Sequence, residues 1–123
     1  MTIDSNIVIA YIEGDEGVVR QLSEWRQSGM PLFLSTIAEA EVLGYPDFTE
    51  DERERTAQFI EQHFVPVLCD RAIAYRAAVL RATVNIKLPD AIIAATALST
   101  GTPLVTRNVK DFKNVSGLEI VTL

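Results

Sequence analysis

The chain has 123 residues, 48% of them hydrophobic and 23% charged, with a formal net charge of −6. That balance fits a single domain over residues 1–123 with a real hydrophobic core, and the acidic charge argues against nonspecific DNA binding through a broad basic face. No apolar run reaches the roughly 20 residues a membrane-spanning helix needs, Met1-Thr2-Ile3-Asp4 lacks the basic start of a signal peptide, and the lone Cys69 forms no internal disulfide, so a cytoplasmic chain without membrane contact is expected.

In chain order, Met1-Thr2-Ile3 reads as a very short strand. Asp4, Ser5 and Asn6 are all N-cap residues ahead of a helix through Ile12, with Glu13-Gly14 as its stop. A second helix spans about Glu16 to Ser28, with Val18, Val19, Leu22 and Trp25 at helical spacing. Pro31 to Ser35 is a buried strand. Thr36 and Glu39 have the spacing of a capping box opening a helix to about Gly44. Thr49 and Glu52 repeat that spacing ahead of a long polar helix to about His63, with Ala57, Phe59 and Ile60 inward and Glu50 to Arg55 as a solvated face.

Phe64 to Leu68 is a strand whose Pro66 places it at a sheet edge. Cys69 reads as a strand-end core residue. Asp70 caps a helix to about Asn85, with Ala74, Ala77, Ala78 and Val84 available for packing. The stretch from Pro89 to Thr100 is apolar all round except for Asp90, which marks a buried helix with one carboxylate at its mouth. Pro103 to Thr106 is another buried strand, Asn108 caps a short helical turn through Phe112, and Leu118 to Thr122 is the last strand. Strands alternating with helices imply an α/β fold with a parallel sheet of 4–5 strands covered on both faces, a three-layer α/β/α arrangement.

In such folds ligands gather beyond the carboxyl ends of the strands. That rule brings Asp4, Glu41, Asp90 and Asp111 to one rim. Each has a simpler reading: Asp4 as an N-cap worth about 1 kcal/mol, Asp90 as a dipole partner, Asp111 as a first-turn acid. Glu41 fits a simple reading less well. It lies beyond cap range and is flanked by Ile37, Ala40 and Gly44, which predicts a place on a buried stripe, with Lys87 and Arg107 as candidate partners.

Converging carboxylates repel unless a cation joins them. An oxygen-only set suits Mg²⁺ or Mn²⁺, and the chemistry that uses such a site is phosphoryl transfer. The acids that would hold a cation also count as negative in a metal-free tally, so the net charge does not exclude a nucleic-acid enzyme. Thr106, Asn108 and Ser5 would supply neutral hydrogen bonds. One histidine and one cysteine make no zinc cluster, and His63, at a helix end, is a poor centre for a Ser-His-Asp triad.

Four stretches carry a resemblance. Ile3-Asp4-Ser5-Asn6-Ile7-Val8-Ile9, Ser35 through Gly44 around Glu41, Leu88-Pro89-Asp90-Ala91 through Ala97, and Thr106-Arg107-Asn108-Val109-Lys110-Asp111-Phe112 resemble, in order and over nearly the whole chain, the motifs of PIN-domain proteins. Ser5 stands where threonine is commoner and keeps the hydroxyl. Within that family the length and motifs look most like the VapC toxins of bacterial toxin–antitoxin pairs. The resemblance implies a sheet of order 3-2-1-4-5 and a metal-dependent endoribonuclease, cleaving RNA as a homodimer. It also implies inhibition by a VapB-like antitoxin that inserts a segment into the acidic groove. By carry-over, Asp4, Glu41 and Asp90 bind the metal, Asp111 completes the site, and Ser5, Asn6, Thr106 and Asn108 support it.

Two other readings remain at this stage. A PIN-like module without activity would bind a partner and no metal. A receiver-type domain would accept phosphate on an acid such as Asp70, which follows Val65-Pro66-Val67-Leu68. Arg107, Lys110 and Lys87 are candidate groove cations, against a default of solvated surface charge.

Overall fold

The computed structural model describes residues 1–123. Strands β1 (Thr2–Ile3), β2 (Phe33–Ser35), β3 (Val65–Val67), β4 (Leu104–Val105) and β5 (Ile120–Val121) form one sheet. All pairings are parallel and the order is β3-β2-β1-β4-β5. Helices α1 (Ser5–Ile12), α2 (Glu16–Gln27), α3 (Thr36–Leu43), α4 (Glu50–His63), α5 (Arg71–Thr83), α6 (Leu88–Thr100) and α7 (Val109–Phe112) flank it. β1 is central, pairing Ile3 with Leu34 on one side and with Val105 on the other.

The chain builds outward from β1 through β2 to β3, then crosses to β4 and builds outward to β5. The direction of build therefore reverses between β1 and β4, which is where an open parallel sheet forms its binding crevice. A receiver of the doubly wound kind has order 2-1-3-4-5. The observed order differs, and the Asp70 carboxylate is occupied in accepting the Ile73 N–H at 2.9 Å as the cap of α5. The receiver reading is therefore withdrawn.

Burial follows sequence. α6 is the most enclosed helix, with Ala91 through Ala97 all buried. Small alanines let it lie close to its neighbours, and Gly101, at φ 64°, closes it in the left-handed conformation that only glycine adopts at no cost. Ile3, Leu34, Leu104 and Val105 from the sheet meet Ile7, Val8 and Ile93 in one core. Pro66 lies on edge strand β3, as its missing N–H requires.

Three local expectations are corrected. The cap of α3 is Ser35, whose hydroxyl accepts from the Ile37 N–H at 3.3 Å, so Thr36 is already helical and Glu39 completes no box with it. The box at Thr49 and Glu52 forms in full, at 3.1 and 3.2 Å. On α5, Ala74 and Ala78 face outward, while Ile73 and Ala77 are buried. Alanine at every second or third position carries no directional signal, and only the larger Ile73 marks the inner face. Asn108 stands at the start of α7 without a side-chain cap bond.

Candidate active site

β1 ends at Ile3, and the next residue, Asp4, turns the chain into α1. Its backbone N–H still belongs to the sheet, donating to Val105 O at 3.0 Å. Its side chain is the N-cap, so the carboxylate is fixed at the carboxyl end of the central strand. Asp4 is only 3% exposed. Oδ1 accepts from the Ser5 N–H at 2.7 Å and lies 3.4 Å from the Ser5 hydroxyl. Oδ2 accepts from the Thr106 hydroxyl at 2.7 Å and from the Asn6 amide at 3.0 Å.

Thr106 and Asn6 complete a closed knot. Thr106 Oγ1 accepts from Asn6 Nδ2 at 3.2 Å and from the Asn108 N–H at 3.0 Å. Asn6 Oδ1 accepts from the Arg107 N–H at 3.2 Å. Donors and acceptors are matched so that Thr106, fully buried, has one hydrogen to give and gives it to Asp4. A charge-assisted hydrogen bond of that length is among the stronger kinds. Burial nonetheless wins: it pushes the Asp4 carboxyl above its ordinary value despite these donors.

The other acids are placed around this knot without comparable partners. Asp90, in the first turn of α6, is half-buried, and its carboxyl is raised by burial, then by the charges of Asp4 and Asp111, against the pull of Lys87. Glu41, on α3, is raised by partial desolvation of its carboxyl at the rim and by the charges of Asp4 and Asp90, with the Ser5 hydroxyl opposing. Thus the charge of Asp4 raises both Glu41 and Asp90, Asp90 adds to Glu41, and Asp111 reaches the set through Asp90. No three of these carboxylates stand close enough to chelate one ion as they are arranged.

Several expectations about the rim change. Glu41 is exposed, as is the neighbouring Ala40, so no buried stripe surrounds it. The eight-residue α3 turns Ala38 and Val42 inward, and Glu41 projects at the rim between them and solvent. Asp111 and Asn108 are exposed. Arg107 sends its guanidinium away from the acids, to Asp15 at 2.7 Å and to Leu123 O at 3.0 Å, and is neither a partner of Glu41 nor a groove cation. Its partner, 92 positions away, is invisible to local reading. His63 donates through Nδ1 to Phe59 O at 2.7 Å and lies on the Phe59 ring, 4.3 Å between centroids, at the end of α4, and no serine or acid is among its hydrogen-bond partners.

Two cavities open beside the acids. One, of about 320 Å³, is bounded by Asp90 and Asp111 together with Asn85, Ile86, Lys87, Lys110, Lys113 and Asn114. The other, also about 320 Å³, is mainly apolar and runs between α1 and α3 from Ile9 and Ile12 past Glu13 and Glu41 to Tyr45 and Phe48. Lys113, Asn85 and Asn114 join the lining of the first without any signal in the sequence. Their spacing in sequence carries no motif, although Lys113 is only two residues beyond Asp111.

Residues 1–118 match the family described as PIN domain. The chain is 29% identical to the "Ribonuclease VapC1" of Rickettsia felis, over all of this chain and 96% of that protein. It is 32% identical, with a TM-score of 0.80, to a chain of a toxin–antitoxin complex from Klebsiella pneumoniae, covering 98% of this chain and 95% of that one. A chain of VapBC2 from Rickettsia felis, solved bound to a DNA fragment from its promoter, superposes with a TM-score of 0.86 at 18% identity, over 99% and 97% of the two chains.

Proposed function

As the chain belongs to the PIN domain family, we propose that it is a VapC-like toxin, an endoribonuclease that cleaves RNA phosphodiesters with the help of Mg²⁺ or Mn²⁺. The observation that carries this reading is the buried Asp4, held by four donor contacts at the switch point of the sheet, with Glu41 and Asp90 near enough to feel its charge. Ribonuclease relatives covering the whole chain support it.

The residues present fit a hard cation. The donors are carboxylates and a hydroxyl, without sulfur or imidazole; desolvation raises all three carboxyls, and the charge of Asp4 raises Glu41 and Asp90 further, a cost that a divalent charge relieves. Asp4, Glu41 and Asp90 would hold it, with Asp111 completing the site through an intervening water. Such a cation lowers the pKa of water and polarises a phosphate oxygen. The protein's own part is orientation. Thr106 and Asn6 lock the rotamer of Asp4, the Asn108 N–H fixes the hydrogen of Thr106 toward it, and Ser5 stands between Asp4 and Glu41.

The partner in this reading is a VapB-like antitoxin. The apolar groove of Ile9, Ile12, Tyr45 and Phe48, ending at Glu13 and Glu41, suits an amphipathic segment that carries a cation to the acidic rim. A second copy of the chain would pack on α5, where Ala74, Tyr75, Ala78 and Val79 are exposed. With no helix long and apolar enough to cross a membrane, a cytoplasmic site of action completes the proposal.

The deciding experiment is incubation of the purified chain with total RNA in Mg²⁺ or Mn²⁺ and in excess EDTA. Cleavage that needs the cation and is lost in Asp90→Asn is expected. Undiminished cleavage in EDTA, or full activity of Asp90→Asn, overturns the mechanism.

A further inference from the structure

The chain has three lysines, Lys87, Lys110 and Lys113, and all three line the same cavity beside Asp90 and Asp111. They reach it from three places: the N-cap of α6, the body of α7 and the residue closing α7. Nothing in the local sequence requires this, and the other eight cations are arginines. The arginines are used differently. Arg107 and Arg55 pair with acids, and Arg53 caps the end of α3 by donating to the carbonyls of Leu43 and Tyr45.

None of the lysines forms an ion pair, although two carboxylates share their cavity. All three are exposed. A cavity that collects every lysine of a −6 chain, leaves each unpaired and opens onto the acidic site is arranged for an anion outside the protein. Lysine suits the role: its ammonium is a point charge on a flexible stem, which follows a phosphate without demanding one orientation. Asn85 and Asn114 add neutral donors and acceptors to the same wall.

We infer that Lys87, Lys110 and Lys113 form the subsite for the RNA backbone leaving the acidic site, gripping phosphates that flank the scissile one. The inference rests on the ribonuclease reading above and names how that site holds its substrate. The lysines are positioning residues: they touch no bond that breaks, and they offset the repulsion that four acids impose on an incoming polyanion.

The test is binding of a fluorescently labelled single-stranded RNA oligonucleotide by the full chain in EDTA, from about 50 to 300 mM salt. Wild type is compared with the triple variant Lys87→Ala, Lys110→Ala, Lys113→Ala, and with the control Arg20→Ala, Arg81→Ala, which removes charge elsewhere. Each lost phosphate contact reduces the slope of log affinity against log salt by about 0.7 for a single strand, so the triple variant is expected to lose about 2 from that slope. The arginine control retains the slope. Because all three lysines are exposed, circular dichroism is expected to show an unchanged fold. A triple variant with the wild-type slope, or an arginine control that loses as much, overturns the lysine assignment. A wild type that cleaves no RNA in Mg²⁺ or Mn²⁺ overturns the ribonuclease reading itself, and with it the subsite.

Discussion

Asp4 and Asp111 are both acids of one rim, but the fold treats them in opposite ways. Asp4 is buried and held by Ser5, Asn6 and Thr106. Asp111 is exposed, with no hydrogen bond to its carboxylate, and is coupled to the rest only through the charge of Asp90. Glu41 and Asp90 fall between these extremes. The comparison separates an acid fixed by the protein itself from acids that, in the reading proposed above, a cation would gather. If these acids form the proposed site, it has one anchored arm and several adjustable ones, and its preorganisation resides in the Asp4 knot.

The largest expected effect comes from removing charge next to that anchor. Asp90→Asn is expected to lower RNA cleavage by about a hundredfold or more at saturating Mg²⁺, with the far-ultraviolet dichroism of wild type. Asp111→Asn is expected to cost less, since its carboxylate stands farther out. Equal losses for the two would erase the distinction drawn here.

Next comes the knot itself. Thr106→Val keeps the shape of a fully buried side chain but deletes the hydroxyl that gives to Asp4 and accepts from Asn6 and the Asn108 N–H. It is expected to cost about 1–3 kcal/mol in chemical denaturation and about 10- to 100-fold in cation affinity. A Thr106→Ser variant is expected to recover most of both. A Thr106→Val chain with unchanged affinity for Mn²⁺ would show that the anchoring is not what prepares the site.

A smaller effect is a dependence of stability on pH. Asp4, Glu41 and Asp90 have carboxyls raised in the folded state, so over the range between their ordinary and raised values the folded chain holds more protons than the unfolded one. The slope of stability against pH is then negative. Their contribution is present below the ordinary carboxylate range and is lost as pH rises through the raised values. In EDTA, Glu41→Gln is therefore expected to raise the melting temperature at neutral pH and to leave it unchanged in acid, and saturating Mg²⁺ is expected to abolish that gain. Asp15 and Glu52 are lowered, by Arg107 and Thr49, and their contribution runs the other way, lost as pH falls through their lowered values.

The smallest effect belongs to Arg107. Its pair with Asp15 is 41% and 36% exposed. Arg107→Ala is expected to cost less than about 1 kcal/mol and to leave RNA cleavage untouched, because the Asn6 contact is made by the backbone N–H that alanine keeps. Loss of cleavage in this variant would return the guanidinium to the groove.

Much of this was legible in the chain because patterns and punctuation agree. The all-round apolar run after Asp90 marks the most enclosed helix, Pro66 marks an edge, and Thr49 with Glu52 marks a real cap. The strand order came from family likeness, since nothing in the alternation of elements says that β3 lies outside β2. What stayed hidden is long-range. The partner of Arg107, the exposure of Glu41 at the end of a short helix, and the meeting of three lysines at one cavity depend on tertiary placement that no local window holds. The cap of α3 slipped by one residue because Ser35 and Thr36 are equally capable, and the end of β2 decides between them.

The hydrogen bond from Thr106 to Asp4 joins residues 102 positions apart, and β1 has no second neighbour until β4 has been made. Loop closure over that distance precedes any reward from the contact. A chain in synthesis therefore holds Asp4 without its Thr106 partner, and the proposed site without its anchor, until the stretch that makes β4 has been added.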